Sequence, residues 1–154
     1  MHQFHYKTIL QNKLWLIQTD TTVGFLSQDA ALLARIKERP PVKPFVQVAG
    51  TFKALKTLTR IPKKYANQIR RAKKTTFVYP NNKAIRVVKD EKHAKFIKPY
   101  KWFYSTSANE KSLSYEKEFA FATSDIIVED NKGLFEGESS RIFLLGPHKM
   151  KRLR

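Results

Sequence analysis

Apolar residues recur along the chain in two spacings, one typical of β-strands and the other typical of amphipathic helices. Short β-prone runs bounded by polar residues predict strands, whereas apolar residues three or four positions apart predict helices. The predicted strands cover residues 13–18, 44–50, 75–80, 84–89, 101–105, 124–130 and 140–145. The predicted helices begin after Ser27 or Asp29, at Thr51, at Pro62 and at Asp90, and the double proline at 40–41 ends the first of them.

Strands that alternate with helices predict an α/β or α+β fold built on a mixed sheet. The length of 154 residues is that of one ordinary domain, so residues 1–154 are expected to form a single domain with its own core. The last six residues, KMKRLR (149–154), are expected to form a basic, mobile tail.

Charge changes this picture more than any other property of the composition. Thirty lysine and arginine residues against thirteen aspartate and glutamate residues give a formal net charge of +17. Residues 60–101 hold fourteen basic and two acidic residues, whereas residues 110–138 hold eight acidic residues and three lysines. Such an asymmetric field favours polyanions such as RNA, DNA or nucleotides, although a lysine-rich surface can also serve solubility alone.

Several classes of protein are excluded by what the sequence lacks. Cysteine is absent, which excludes disulfides, thiolate metal sites and a cysteine nucleophile. No apolar run approaches the ~20 residues of a membrane span, and no signal-peptide pattern is present, so we expect a cytoplasmic protein with no membrane partner. Glycine-rich dinucleotide and P-loop motifs are missing, as are HExxH and GxSxG. The four histidines lack the spacing of zinc ligands, so no metal site is predicted.

Because those motifs are missing, an active site would have to be built from cations and hydrogen-bond donors, which points to phosphate chemistry, and four segments carry such residues. They are QTDTTVGF (18–25), RIKERPPVKPF (35–45), YSTSANEKS (104–112) and GESSRIFLL (137–145). A site built from them would consist of cations and hydrogen-bond donors, and phosphoryl transfer depends mainly on positioning and charge neutralisation.

In type and order these segments resemble the YrdC-like family, the threonylcarbamoyl-AMP synthases. Members of that family typically carry P-T-D/E-T-x-Y-G-L, then K-x-R-P-x-x-K-P, then S-T-S-A-N and a late S-T-[IV]. The S-T-S-A-N motif, residues 105–109 here, matches at every position, and the resemblance covers about residues 13–145.

The resemblance implies a fold, a reaction and a set of partners. The fold would be a twisted mixed sheet flanked by helices around a positively charged cavity. The reaction would join threonine, bicarbonate and ATP into threonylcarbamoyl-AMP with release of pyrophosphate, and Mg²⁺ would accompany the nucleotide. Transfer proteins would then move the threonylcarbamoyl group onto tRNA.

Candidate site residues follow from the same resemblance. The residues that would bind the ATP phosphates are Lys37, Arg39, Lys43, Ser105, Thr106, Ser107, Asn109, Ser139 and Arg141. Those that would bind threonine or its carbamate are Thr19, Thr21 and Arg86. Separately, the local charge makes candidate RNA contacts of Arg70, Arg71, Lys73 and Lys74.

These residue types suit the reaction. A carbamate formed on threonine is already anionic, so the main task is to bring it against an α-phosphate that is also negative. Arginine offers a fork of donors and lysine a point charge, and cations set in a desolvated cavity stabilise the charge that develops. A strand that ends in small hydroxyl residues lets a ligand approach its backbone.

Purely structural roles compete with each assignment. Lys37 and Arg39 could be solvated residues at a helix end, where the helix dipole favours cations. The segments STSAN (105–109) and TDTT (19–22) could be plain turns. The aromatic run 102–104 is expected to lie in the core and not to stack on bases.

Two departures from the family pattern keep two rival functions open. Val23 stands where the family has tyrosine, and Ala72-Lys73-Lys74 stands where it has a Pro-Gly-Pro turn. One rival is a non-catalytic double-stranded RNA-binding, tRNA-binding or ribosome-maturation module of the same fold. The other is a carbamoyl-adenylate step that serves another pathway, as in the related domain of hydrogenase maturation proteins.

Overall fold

The structure, a computed structural model, describes residues 9–40 and 44–154. In chain order its strands are β1 (Trp15–Gln18), β2 (Val23–Ser27), β3 (Val46–Ala49), β4 (Thr75–Val78), β5 (Ala84–Val87), β6 (Trp102–Ser107), β7 (Ile126–Val128), β8 (Arg141–Leu145) and β9 (Met150–Arg152). Its helices are α1 (Ala30–Ile36), α2 (Phe52–Leu58), α3 (Ala66–Arg71), α4 (Glu91–Ile97) and α5 (Lys117–Thr123). Two short 3₁₀ helices cover Lys63–Tyr65 and Lys98–Tyr100.

Contacts between residues divide the chain into two compact units. The first unit takes in the described residues up to Phe45 together with Phe103–Glu138. Its strands run in the order β7-β1-β2-β6, in which β1 is parallel to β7 and antiparallel to β2, and β2 is antiparallel to β6. Its core packs Leu33 of α1 and Ala120 of α5 against Leu16 and Phe25 of the sheet.

The second unit takes in Val46–Trp102 and Ser139–Arg154. Its strands run in the order β3-β5-β4-β8-β9, with parallel pairs β3/β5 and β4/β8 and antiparallel pairs β4/β5 and β8/β9. Its core joins Leu55 of α2 and Ile69 of α3 to Phe77 and Ile85 of the sheet. Both units are thus mixed sheets with helices packed on them, which confirms the predicted α/β fold class; the single-domain expectation stays a prediction.

Helix boundaries follow the capping residues named from the sequence. The Asp29 carboxylate accepts a hydrogen bond from the Leu32 amide at 3.1 Å, and the Thr51 hydroxyl accepts one from the Ala54 amide at 3.0 Å. Each bond satisfies one of the amides that the first turn of a helix leaves without a partner. Helices α1 and α2 therefore begin at the residues after these caps.

Three elements escaped the sequence pattern. Residues 23–27 are not among the predicted strands, since Gly24 was taken with residues 19–22 as part of a turn, yet they form the buried strand β2. Gly24 has a packing reason to be glycine, because a Cβ there would lie 3.0 Å from Thr19 Cγ2 and 3.1 Å from the Thr106 carbonyl oxygen. Helix α5 and strand β9 were not predicted, and β9 places half of the supposedly mobile tail in a hairpin with β8.

No helix in the described part of the chain combines the length and the apolar character that crossing a membrane would require.

Candidate functional site

The hydroxyl-rich end of β6 lies in the first unit, paired with β2. The antiparallel register sets Ser105 opposite Leu26, Thr106 opposite Phe25 and Ser107 opposite Gly24. The strand ends where Ala108 turns inward, 1% exposed, and its amide donates to the Val23 carbonyl at 3.0 Å. This bond holds the S-T-S-A-N segment against the strand that follows the TDTT turn.

Lys37 reaches this strand end from the C-terminus of α1. Its ammonium donates to the carbonyl oxygens of Ser107 at 3.1 Å and Asn109 at 2.7 Å, and to Asn109 Oδ1 at 2.8 Å. The Ser107 hydroxyl donates to the same Oδ1 at 2.5 Å. We refer to Lys37, Ser107 and Asn109 as the lysine cluster. The structure therefore brings together two segments that lie about seventy residues apart in the sequence.

Burial changes the chemistry of the Lys37 ammonium. Desolvation, followed by the charge of Arg39, lowers the pKa of Lys37 from 10.5 to about 8. Both causes disfavour the charged form, whereas an anion that arrives beside Lys37 would favour it. Three acceptors occupy the three donor hydrogens of the ammonium, and a phosphate oxygen would have to replace one of them.

The geometry of the helix end separates Lys37 from Arg39. The Arg39 amide donates to the Ala34 carbonyl at 2.9 Å and the Glu38 amide donates to the Arg35 carbonyl at 3.3 Å. This pair of bonds is the Schellman arrangement, in which the residue after the helix cap is left-handed. Glu38 adopts that conformation with φ of 47° although it is not glycine. The backbone therefore reverses between the two cations of the K-x-R motif.

Arg39 turns toward an apolar cavity of about 990 Å³ in the first unit. Its guanidinium carbon lies 4.6 Å from the centroid of the Phe45 ring, within the range of a cation–π contact. Burial lowers the pKa of Arg39. The cavity is bordered by the alanines of α1 and by Tyr104 of β6. Lys43, predicted to bind phosphate, lies outside the described residues.

Thr19 and Thr21 form the tight turn before β2. The Thr19 hydroxyl accepts from the amides of Thr21 and Thr22, each at 3.1 Å, and donates to the Thr22 carbonyl at 2.6 Å. The two hydroxyls lie 3.2 Å apart. Gly137 packs on this turn so closely that a Cβ would meet the Thr21 carbonyl oxygen at 2.0 Å. The segment TDTT therefore forms a turn, as its structural interpretation predicted, and the Thr19 hydroxyl makes its hydrogen bonds within that turn.

A second group of donors lies in the second unit around Arg86 of β5, which is 5% exposed. Arg86 Nη1 lies 3.4 Å from the Thr76 hydroxyl, which in turn lies 2.8 Å from the Ser140 hydroxyl. Arg154 closes the group, because its Nε donates to the Ser140 carbonyl at 2.9 Å and its Nη2 to the Ser140 hydroxyl at 3.2 Å. We refer to Thr76, Arg86, Ser140 and Arg154 as the arginine cluster.

The arginine cluster brings a buried guanidinium group, that of Arg86, close to an exposed one, that of Arg154. Desolvation, followed by the charge of Arg86, lowers the pKa of Arg154. Thr76 and Ser140 are 0% and 3% exposed, so the hydroxyls that join the two arginines are held away from water. The four named residues offer positive charge and hydrogen-bond donors, which suit a carboxylate or phosphate ligand.

The sequence predicted Arg86 as a site residue but not the other three members of the arginine cluster. It named Ser139 and Arg141, the neighbours of Ser140, on the motif alone. Ser139 is exposed, and Arg141 Nη2 donates to the Thr75 hydroxyl at 3.0 Å and the Lys73 carbonyl at 3.3 Å. Successive side chains of a strand point to opposite faces, so Arg141 lies on the other face from Ser140. The polar residues at the start of β8 indicated a site in this segment, but the sequence did not show which of their side chains points toward Arg86.

Nothing in the sequence indicated a role for Arg154, since residues 149–154 were predicted to form a mobile tail. Its position depends on the β8/β9 hairpin, in which Phe143 pairs with Arg152 and Leu145 with Met150. The Arg154 amide also donates to the Ile142 carbonyl at 3.3 Å. Pairing of two strands thus delivers the last residue of the chain to the arginine cluster.

The predicted RNA contacts lie at the end of α3 and in the loop after it. Arg70, Arg71, Lys73 and Lys74 are all exposed. The Arg70 guanidinium carbon lies 4.5 Å from the centroid of the Phe52 ring, and the Lys56 ammonium lies 5.5 Å from the same centroid. These cations form one basic surface shared by α2 and α3.

The two departures from the family pattern have visible local consequences. Val23, at the tyrosine position, is 1% exposed, and its amide donates to the Phe135 carbonyl at 3.1 Å. Lys74, in the segment that replaces Pro-Gly-Pro, is left-handed with φ of 50°, and its carbonyl accepts from the Arg141 amide at 3.1 Å. Val23 is thus part of the core of the first unit, and Ala72-Lys73-Lys74 forms a turn that leads into β4.

Over residues 9–40 and 44–154, no group of three histidine, aspartate or glutamate side chains is placed to hold a metal ion.

Comparison with known proteins gives a fold and no sequence family. No family model matches the chain, and no curated protein is similar to it. Among solved structures, a variant of Sua5 from P. abyssi superposes with a TM-score of 0.81 at 19% identity, over 97% of this chain and 52% of that one. P. abyssi Sua5 complexed with L-threonine superposes with a TM-score of 0.70 at 18% identity, over 92% of this chain and 50% of that one.

E. coli YciO is similar over more of its own length. It superposes with a TM-score of 0.70 at 15% identity, over 97% of this chain and 86% of that one. This chain therefore spans about half the length of the Sua5 structures and most of YciO. At these identities the likeness shows the fold alone: the chain has the α/β fold of Sua5 and YciO, as the motifs predicted.

Proposed function

We propose that this protein is an L-threonylcarbamoyladenylate synthase that supplies threonylcarbamoyl-AMP for tRNA modification. The observation that carries the proposal is the lysine cluster, in which the K-x-R and S-T-S-A-N motifs meet through three hydrogen bonds from Lys37. Motifs that merely coincided in sequence would have no reason to meet. The fold shared with a threonine-complexed Sua5 supports the same reading.

In the proposed reaction, threonine and bicarbonate first give the N-carboxylate of threonine with loss of water. A carbamate oxygen then attacks the α-phosphorus of ATP, the bond from that phosphorus to the β-phosphate oxygen breaks, and pyrophosphate leaves. No strong general base is needed for the second step because the nucleophile is already an anion. The protein supplies charge and alignment, which account for most catalysis in phosphoryl transfer.

Each cluster, taken within its own unit, suits one kind of anion. In the first unit, Lys37 would exchange one of its acceptors for a phosphate oxygen, with Ser105, Thr106 and Asn109 as further donors on the same strand end. In the second unit, the guanidinium groups of Arg86 and Arg154 suit a carboxylate or carbamate, since a guanidinium fork matches a carboxylate in two parallel bonds. Mg²⁺ would enter with the ATP phosphates, because the described residues offer no acidic cluster for it.

A product assay tests this assignment. Pyrophosphate release is expected to require threonine, bicarbonate and ATP together, and mass spectrometry is expected to detect threonylcarbamoyl-AMP only in the complete mixture. Release of pyrophosphate that does not depend on threonine would overturn the proposal. Activity with carbamoyl phosphate in place of threonine and bicarbonate would instead support a carbamoyl-adenylate step of another pathway.

The alternative function is a non-catalytic RNA-binding module of the same fold. The basic surface of α2 and α3, with Arg70, Arg71, Lys73 and Lys74, favours it, since phosphate contacts of this kind dominate affinity for nucleic acids. Binding of tRNA with no measurable affinity for ATP would favour this alternative. The synthase proposal expects both tRNA-pathway proteins as partners and nucleotide binding by the isolated chain.

A further inference from the structure

A cavity of about 430 Å³ lies in the second unit, and no residue of the arginine cluster lines it. It opens between the link that follows α2, residues 59–63, and the turn that joins β4 to β5. Its less exposed lining is formed by Thr59, Ile61 and Pro62, and its exposed rim by Arg60, Lys63, Pro80 and Asn81. We call it the proline pocket. Its volume falls in the range of small-molecule sites, roughly 300–1,000 Å³.

Hydrogen bonds hold the two sides of the proline pocket in place. The Lys83 ammonium and the Asn81 amide nitrogen donate to the Leu58 carbonyl at 3.2 Å and 3.4 Å, so the β4–β5 turn is tied to the end of α2. Within the turn, the Asn82 amide donates to the Tyr79 carbonyl at 2.8 Å, and the Lys83 amide to Asn81 Oδ1 at 3.1 Å. The pocket is therefore formed before any ligand arrives, which reduces the entropic cost of binding.

The lining of the proline pocket is complementary to a ligand that joins a flat apolar ring to an anionic group. Ile61 and the two proline rings offer rigid apolar surface. At the rim, the side chains of Arg60 and Lys63 are exposed and make no hydrogen bond or ion pair within the described residues. The neighbouring Lys64, by contrast, donates to the carbonyls of Pro147 and His148. Two uncommitted cations beside an apolar slot fit a nucleotide, base inside and phosphate at the rim.

The surroundings of the pocket favour a nucleotide within a strand over a free one. Residues 46–89 of the second unit contain twelve basic residues and no acidic residue. Lys56, four residues before Arg60, shares the Phe52 ring with Arg70. Cationic surface therefore continues along α2 from the pocket rim toward α3. A single nucleotide would use only the rim, whereas a strand would also use this surface.

We propose that the proline pocket binds one unstacked nucleotide of a single-stranded RNA segment, with its base against Ile61, Pro62 and Pro80 and its phosphate against Arg60 and Lys63. A paired base inside a duplex could not enter such a slot, so the pocket discriminates single strands and loops from double strands. This site is separate from the proposed synthase chemistry and does not depend on it.

The test uses the full chain and three probes: a ten-nucleotide single-stranded RNA with a central 2-aminopurine, the blunt duplex of the same sequence, and AMP. The single strand is expected to bind at least fivefold more tightly than the duplex and far more tightly than AMP, with a change in 2-aminopurine fluorescence. Equal or tighter binding of the duplex would overturn the proposal. Equal binding of AMP would also overturn it and identify a free-nucleotide site.

Matched charge variants separate the pocket from the general basic field. The double substitution R60Q/K63Q is expected to weaken single-strand binding about tenfold and to abolish the fluorescence change. The control, K53Q/K89Q, removes two exposed lysines from the same unit and is expected to weaken binding less than threefold. Equal losses of RNA affinity in the two variants would show that binding depends on charge alone and would overturn the proposal of a pocket site.

A third variant reports on the wall without changing charge. Ile61→Ala is expected to reduce the fluorescence change and weaken binding about threefold, while the dependence of affinity on salt stays that of the wild type. An unchanged fluorescence signal would exclude the base from the pocket. Threonine-dependent pyrophosphate release, measured on the same preparations, is expected to stay at the wild-type level, so failure of the RNA site and failure of the synthase proposal remain distinguishable.

Discussion

The lysine cluster of the first unit and the arginine cluster of the second unit gather positive charge in opposite ways. Lys37 binds carbonyl and amide oxygens, and burial brings its pKa to about 8. Arg86 and Arg154 are joined through two buried hydroxyls, and a guanidinium stays charged throughout the physiological range. One cluster therefore has a charge that a ligand or a change in pH can alter, and the other has a permanent charge.

This contrast matches the tasks proposed for the two clusters. Bound carboxylate needs a fixed, planar partner, whereas the phosphates of ATP must be bound before the reaction and released after it as pyrophosphate. A lysine that the protein already supplies with internal acceptors can release an anion at a low cost. Substitutions in the two clusters should therefore differ in which substrate they affect, in the pH dependence of that effect and in its magnitude.

The largest effect is expected from Arg86→Ala. Loss of a buried charged hydrogen-bond donor costs about 1.5–3 kcal/mol, so kcat/KM for threonine should fall about 10- to 150-fold while ATP affinity changes little. Steady-state pyrophosphate release at varied threonine, with calorimetric titration of ATP, measures both. The matched control Arg141→Ala removes an arginine from the opposite face of the neighbouring segment and should change kcat/KM less than threefold. A larger loss of ATP affinity than of threonine use would reverse the assignment of the clusters.

A smaller, opposite pattern is expected from Lys37→Ala. ATP affinity should fall about tenfold or more, because a charge-assisted bond contributes roughly 1.5–3 kcal/mol but the freed Asn109 amide can rearrange toward the ligand. Lys111→Ala is the control, since within residues 9–40 and 44–154 the hydrogen bond of this exposed lysine goes to the Glu38 carbonyl, at 3.4 Å. Circular dichroism should show both variants folded. Wild-type affinity in the Lys37 variant would remove the lysine cluster from the ATP site.

The pH dependence of ATP binding should distinguish the clusters without removing a side chain. The lowered pKa of Lys37, about 8, means that the ammonium loses its proton as the pH rises through 8. Anion affinity should therefore be constant below pH 7 and should fall toward tenfold per unit above pH 8. Lys37→Arg should flatten this profile, because arginine does not titrate there. Titrations between pH 6.5 and 9.5 would show it, and an identical slope in the arginine variant would assign the titration to another group.

The smallest effect concerns the turn that separates Lys37 from Arg39. Glu38 is left-handed at a position that favours glycine, and this conformation costs an L-residue about 1–2 kcal/mol. Glu38→Gly should raise the free energy of unfolding by about 1 kcal/mol in urea titrations, once the extra freedom of the unfolded chain is subtracted. Glu38→Ala removes the same carboxylate but keeps the strain, so it should give no gain. An equal gain in both would point to charge and not to backbone conformation.

Short stretches of sequence were enough to predict several features of the first unit. Asp29 bounded the start of α1 as expected, because a capping bond acts within one helical turn. The other end of α1 lies at Ile36, ahead of the expected stop at Pro40, because the Schellman turn at Glu38 ends the helix first. The S-T-S-A-N strand end was recognised because a buried run that breaks into small polar groups is unusual at any position. Strand β2 was missed for a matching reason: Gly24 resembles a turn residue until its neighbours on β1 and β6 are known.

The arginine cluster shows the limit of such signals. Arg86 was named on a motif, but the choice of Ser140 over Ser139 depended on which face of β8 looks inward, and that is set by pairing with β4. Arg154 depended on a hairpin of three residues. Neither pairing leaves a trace in the composition of the segment.

By itself the sequence determined the α/β class, the starts of α1 and α2, the excess of cations and the motif residues on β6, because each depends on residues close together in the chain. Only the tertiary structure decided that Lys37 meets Asn109, that Arg154 joins Arg86, and that two prolines eighteen residues apart face one cavity. Strand register and loop closure bring these groups together, and both arise from contacts between distant segments that no local pattern records.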